Sequence, residues 1–337
     1  MVFLARTVYN PRPGEPAVGL PNPAELCDEG RLSTQAAVER HLLDAFIPAA
    51  YRRRPGDTCR WSPQVAEHAL VFLARHLQHT LHGTPDLAWW QLHKAVRRRV
   101  YQCLLATVTA FAAGLSALGS GLGPAVAIGL AAGFLGWRTG GRPRRLPAVA
   151  FRWSGTGFAL GVLWAAGFGL ILALPARTAP ELGLLAGLLL GPVTGVWLGR
   201  GVVALAGQET RSPDLASAVG PAMLVRCDRR VFGRLTFTFG FGYGLVLALA
   251  TPALLHGATS DAVGIAVLIP AFSISGAFAY AAWGHFTLAR CYLTLRCRLP
   301  RDLMAFLAEA HQRGVLRQSG AVYQFRHIDL QHHLAQR

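Results

Sequence analysis

His76, His79 and His82 recur at every third position, a spacing at which imidazoles on a helix could share a metal ion. No carboxylate or cysteine stands beside them to complete a ligand set, so a solvated helix edge is the expectation. The six cysteines, Cys27, Cys59, Cys103, Cys227, Cys291 and Cys297, include no Cys-x-x-Cys pair, which argues against a disulfide framework or a zinc knuckle. Phe241-Gly242-Tyr243-Gly244 has the composition of a potassium filter. It runs on into Leu245–Leu255 as one apolar stretch, whereas a filter lies on a loop held between helices. Lys94 is the only lysine among 33 Lys+Arg. It follows no glycine-rich loop, which excludes a P-loop, and its context is not that of a Schiff-base lysine. No catalytic residue, metal site or cofactor is assigned.

The elements that hold these residues are set by composition. Of 337 residues 52% are hydrophobic and only 15% charged, with a formal net charge of +16, against about 25% charged in soluble proteins. Six apolar runs, Tyr101–Leu118, Leu122–Trp137, Gly155–Leu174, Leu182–Leu198, Leu235–Leu255 and Ala262–Trp283, contain no Asp, Glu, Lys, Arg or His. Runs of about 20 apolar residues are the length of a spanning helix. Lys94 and Arg97–Arg99 precede the first run, and arginines crowd the segments after runs two, four and six. The alternate connections carry only Arg177, so the bias of cations to one side places both termini in the cytoplasm. Met1–Arg6 is too short in apolar residues for a secretory signal.

The expected fold class is mostly α: a six-helix transmembrane bundle in the inner membrane, with a cytoplasmic domain formed by both ends. Residues 1–99 form a helical region, 100–289 the six glycine-rich spans, and 290–337 a helix-hairpin-helix, winged-helix-like region. Gly183, Gly187, Gly191, Gly195 and Gly199 recur every four residues, and Gly129 and Gly133 repeat the spacing in the second run. Positions without side chains let helix backbones approach closely, so these mark a packing face within the bundle or between copies of the chain. The runs lack the ionisable groups that usually line a transport pathway. A small-molecule transporter or channel is therefore the alternative, with Thr194, Ser273, Ser275 and Tyr280 as its lining and Pro192 and Pro270 as helix breaks.

In the first region Thr34 caps a helix bearing Val38, Leu42, Leu43, Phe46 and Ile47. Ser62-Pro63 starts another with Ala69, Phe72, Leu73 and Leu77 on one face, and Leu87, Trp90 and Leu92 indicate a third. In the last region Asp302–Arg313 reads as a helix stopped by Gly314. Val315–Gln318 and Ala321–Phe325 read as strands turning at Ser319-Gly320, and Ile328, Leu330 and Leu334 as a closing helix. Arg313, Arg317, Arg326 and His327 could meet phosphate, which makes a membrane-tethered DNA-binding regulator a second alternative. A basic wing on a membrane protein more often meets lipid or protein, and nucleic acid is disfavoured as a partner.

Several segments carry a resemblance. They are Leu4-Ala5-Arg6-Thr7-Val8-Tyr9, Arg60-Trp61-Ser62-Pro63 through Leu77, Asp86-Leu87-Ala88-Trp89-Trp90-Gln91-Leu92, and Leu299-Pro300-Arg301-Asp302-Leu303-Met304 through Arg317. With Tyr323-x-Phe325-x-His327 followed by Gln331, the chain resembles the C-terminal, membrane-attached region of actinobacterial NACHT-type signalling NTPases. Where that family has Glu-Tyr after the glutamine, this chain has His332-His333. The family's NTPase core would lie upstream of the Leu4–Tyr9 segment. The resemblance implies a non-enzymatic anchor and relay module in signalling or defence. Its partners would be the lipid bilayer, an NTPase bound through the cytoplasmic domain, or another copy of the chain.

Overall fold

Side-chain caps set where the helices of the two chain ends begin. Thr34 accepts from the Ala37 N–H at 3.2 Å and opens α2, Gln35–Ala50. Ser62 accepts from Val65 N at 3.3 Å and opens α3, Pro63–Arg75, with Pro63 in the first turn where its missing N–H costs nothing. Ahead of both lies α1, Val2–Tyr9. The computed structural model describes residues 2–10, 21–28, 30, 32–52, 59–116, 122–139, 220–237 and 282–337.

The chain divides into two compact units. One comprises Met1–Val96, Ala216–Ala222 and Ala289–Arg337; the other comprises Arg97–Leu215 and Met223–Leu288. In the first, α3 runs into a π-turn over His76–Thr80, followed by left-handed residues His82 and Gly83. The strand β1, Asp86–Leu87, and a 3-10 segment, Trp89–Ala95, come next. The single helix expected around Leu87, Trp90 and Leu92 is thus replaced by an extended step and a tight turn. Strand pairing is the reason: Asp86 lies opposite Gln324 and Leu87 opposite Tyr323.

The C-terminal half of this unit is α8, Leu303–Gln312, the strands β2, Leu316–Ser319, and β3, Val322–Phe325, and α9, Ile328–Gln336. Asp302 caps α8 by accepting from Ala305 N at 3.2 Å. Gly314 ends it at φ +77°, a left-handed conformation in which glycine bears no Cβ penalty, and Val315 N–H closes back on the Ala310 carbonyl. The antiparallel sheet has the order β1-β3-β2. Its inner face and the helices bury Leu4, Phe46, Leu70, Leu73, Leu77, Phe306, Leu307, Leu330 and Leu334 at 1% exposure or less, apart from Leu307 at 2%. Each such side chain contributes about 1.5–3 kcal/mol of burial free energy.

In the second unit α4, Arg98–Ser116, and α5, Leu122–Thr139, pack as an antiparallel pair through small residues. The large side chains Phe111, Leu130 and Phe134 point away from the pair and are exposed. Residues of α6, Pro221–Phe237, and α7, Ala282–Leu295, also meet in this unit: the buried Asp228 carboxylate accepts from Trp283 N at 2.6 Å.

The six-helix transmembrane bundle, and with it the multi-pass placement in the inner membrane, is corrected. The structure is mostly helical, and among the described residues no helix is long and apolar enough to cross a membrane. The first two apolar runs show why. At 1.5 Å per residue, helices of 19 and 18 residues just fall short of the roughly 30 Å of hydrocarbon. Arg98, Arg99 and Gln102 occupy the start of α4, and Arg138 and Thr139 the end of α5, which dilutes what apolar length there is. The runs Gly155–Leu174, Leu182–Leu198, Leu235–Leu255 and Ala262–Trp283 lie wholly or largely outside the described residues, as do Gly183, Gly187, Gly191, Gly195 and Gly199.

Candidate interaction site of the paired chain ends

The first and last segments of the chain are joined by a clamp of charges. On α9, His333 Nε2 lies 2.8 Å from Asp44 Oδ1 of α2. The Arg337 guanidinium reaches the same Asp44 and also Glu67 of α3. These groups are roughly a sixth to two fifths exposed, so solvent screens the pairs and each contributes at most about 1 kcal/mol. Their value is geometric, because three helices from both ends share one cluster.

Deeper in the unit sits a charge that sequence spacing did not single out as buried. Arg313 is 7% exposed. Its Nε donates to Glu309 Oε1 at 2.9 Å, Nη1 donates to the Ala50 carbonyl at 3.0 Å, and the guanidinium lies 5.1 Å from the centroid of the Tyr51 ring. Tyr51 stacks on Phe306, whose ring also meets the edge of Trp61. Burial, reinforced by the Glu309 carboxylate, pushes the Tyr51 hydroxyl well above its ordinary value. Burial likewise raises the neighbouring Cys59 thiol, which donates to the Trp61 carbonyl at 2.9 Å. The signal in the sequence was Glu309 followed four residues later by Arg313 on one helix. That spacing reads the same on a surface.

The motif residues are placed apart. Tyr323 and Phe325 stand on β3, both buried, with Tyr323 paired to Leu87 and Gln318 and Phe325 to Leu316. The Tyr323 ring lies 6.3 Å from His311, and burial raises its hydroxyl. Gln331 is fully buried on α9 and donates to the Thr84 carbonyl at 3.4 Å. His327, between β3 and α9, stacks near Phe3 of α1 at 5.7 Å, and burial with Arg326 beside it lowers its imidazole. These residues hold the sheet, the last helix and the first helix in register; they do not converge on one cleft.

Of the three spaced histidines, His76 is buried while His79 and His82 are exposed, because the π-turn breaks the helical spacing that would align them. Among the described residues no group of three or more His, Cys, Asp or Glu stands where it could hold a metal ion. All six cysteines are free thiols. Gly129 and Gly133 face α4. A Cβ at Gly129 would lie 3.0 Å from the Ala110 carbonyl, and one at Gly133 2.9 Å from the Ala110 Cβ, while at Gly136 it would run into the Thr109 hydroxyl.

No family model, curated protein or solved structure matches the chain. The NACHT-type and winged-helix descriptions gain no support from these comparisons. The hairpin expected to turn at Ser319-Gly320 is present as β2 and β3, and β1 joins it beside β3.

Proposed function

We propose that the unit built from both chain ends is a non-enzymatic docking and relay module acting on a nucleotide-hydrolysing partner, the kind of protein its motif segments resemble. The observation that carries this reading is the closure of the two ends on one another. β1 from the first segment is hydrogen-bonded to β3 from the last, and Asp44 and Glu67 hold α9 through His333 and Arg337. Elements joined this way move together, so a displacement imposed at one end is carried to the other. Support against a DNA-reading role comes from the arginines: Arg317 donates to Gln324 Oε1 at 2.8 Å and Arg326 lies 4.2 Å from the centroid of the Phe3 ring. Both side chains are engaged within the unit.

The test is a C-terminal tag at the native locus, with the size, partners and nucleotide hydrolysis of the tagged product measured. The expected result is that the chain Met1–Arg337 hydrolyses neither ATP nor GTP alone and alters the hydrolysis rate of an NTPase that co-purifies with the tagged product. Hydrolysis by the isolated chain, or an effect on no NTPase, would overturn the proposal. A much larger product would place the NTPase in the same polypeptide and overturn the separate partner.

A further inference from the structure

The N-terminal helix packs on the unit through a short apolar face and one ring. Leu4 and Val8 are 1% exposed, and Tyr9 reaches His41 Nε2 at 3.0 Å. Phe3 enters a notch with four walls. Its ring lies 6.2 Å from Phe46 and 5.7 Å from His327, the Arg326 guanidinium covers it at 4.2 Å, and Gly314 forms the floor. A Cβ at Gly314 would come within 3.2 Å of Phe3 Cζ, so the glycine that ends α8 also makes room for the ring. His327 Nε2 is buried there without a hydrogen-bond partner. Asp329, in the first turn of α9, acts on His327, but nothing in α1 answers the charge of Arg326. Val2–Tyr9 contains no carboxylate and brings a further cation, Arg6, one turn from Phe3, and among the described residues no carboxylate pairs with Arg326.

We propose that α1 is a displaceable strap, and that the notch beneath Phe3 is the docking point for a helical segment of a partner protein bearing an aromatic side chain with a carboxylate one turn away. The aromatic ring would take the place of Phe3 between Phe46 and His327, under Arg326. The carboxylate would pair with Arg326 and thereby supply the charge complement that α1 lacks. Binding and release of α1 are then coupled, because one ring fills the notch at a time. The inference rests on the docking-module reading for the existence of a partner, whereas the experiment below uses only the purified chain and designed peptides and can fail or succeed independently of it.

The probes are two fluorescein-labelled peptides of residues 2–10, one of natural sequence and one carrying Arg6→Glu, titrated into the full-length chain and its Phe3→Ala variant by anisotropy. The Arg6→Glu peptide is expected to bind the Phe3→Ala chain about tenfold more tightly than the natural peptide does, and more tightly than it binds the unsubstituted chain. Adding Arg326→Glu is expected to reverse the preference between the peptides. Equal affinity of the two peptides, or a preference indifferent to Arg326→Glu, would overturn the proposal. Displacement by millimolar inorganic phosphate at matched ionic strength would also overturn it, assigning the cations to a free anion. A dimer of the unsubstituted chain that dissociates on Phe3→Ala would do so in favour of α1 exchange between copies. A readout that needs no variant is hydrogen exchange of the α1 amides in the unsubstituted chain, which is expected to accelerate when the Arg6→Glu peptide saturates it; unchanged α1 protection would refute the strap.

Discussion

The buried imidazole of His76 should make the unit of the two chain ends acid-sensitive, and the size of the effect follows from its surroundings. The side chain is 4% exposed, its Nδ1 has no hydrogen-bond partner, and His93 and Lys94 lie close enough to disfavour a second positive charge. Burial first, and these neighbours second, lower its pKa from 6.5 to about 4. Between those values the unfolded chain binds a proton that the folded chain does not. Stability is therefore full above about pH 6.5, falls as the pH drops through the window, and levels off below about pH 4. A displacement of about 2.5 pH units at about 1.36 kcal/mol each gives a loss of about 3 kcal/mol from this group. Burial also lowers His93 and His327, which add to the loss in the same direction. His76→Leu removes the titration and replaces an unpartnered polar atom with an apolar one, a change expected to be near neutral at pH 7. The assay is urea unfolding at pH 7 and pH 4, read at α3 by pulsed hydrogen exchange, for both chains. The unsubstituted chain should lose about 3 kcal/mol more than His76→Leu between the two pH values. Parallel pH dependence of the two chains, or an NMR titration of His76 near 6.5, would refute the reasoning.

Other substitutions test the contacts that close each unit. Arg313→Ala leaves the largely buried Glu309 without its cation and strands the Ala50 carbonyl, and should cost about 3–5 kcal/mol in urea unfolding, whereas replacing Arg313 and Glu309 together with Met and Leu should cost far less. Gly314→Ala puts a Cβ at φ +77° and against Phe3; a loss of roughly 1–2 kcal/mol is expected, with faster hydrogen exchange in α1 as its signature. In the second unit Gly133→Ala presses a methyl onto Ala110 and the Ala106 carbonyl, and should lower the stability of the α4–α5 pair by about 1–3 kcal/mol, measured by exchange at α4 amides.

What could be read from the sequence was what neighbouring residues decide. Thr34, Ser62-Pro63, Asp302 and Gly314 act through backbone groups within a few positions of themselves, and each sits at the helix end its chemistry dictates. β1 could not be read that way. Two residues have no strand pattern of their own, and Asp86 and Leu87 become a strand only because Gln324 and Tyr323 arrive from the far end of the chain. His76 misled for a related reason, since its spacing to His79 and His82 is helical in sequence and the π-turn rotates them apart. The first two apolar runs misled through composition. Ala106, Thr109, Ala110, Gly129 and Gly133 serve the close approach of two helices, and small residues of this kind raise apolar content without supplying the length and apolarity of a spanning helix.

The near absence of lysine acquires a structural reason that composition alone did not offer. Lys94 is the only lysine among 33 Lys+Arg, and arginine after arginine lies over a ring: Arg60 over Trp61 at 5.3 Å, Arg313 over Tyr51 at 5.1 Å, Arg326 over Phe3 at 4.2 Å, Arg296 over Tyr292 at 5.8 Å and Arg229 over Trp283 at 6.0 Å from the ring centroid. A planar, weakly hydrated guanidinium can stack on a ring while its edge still donates hydrogen bonds, whereas an ammonium group holds its water and offers no plane. Arg313 needs both properties at once, lying over Tyr51 while it donates to Glu309 and the Ala50 carbonyl. Arg313→Lys should therefore keep the charge and still lose a large part of what Arg313→Ala loses. If the lysine chain unfolds in urea like the unsubstituted one, charge rather than shape holds this site, and the stacking account fails there and by extension at Arg326.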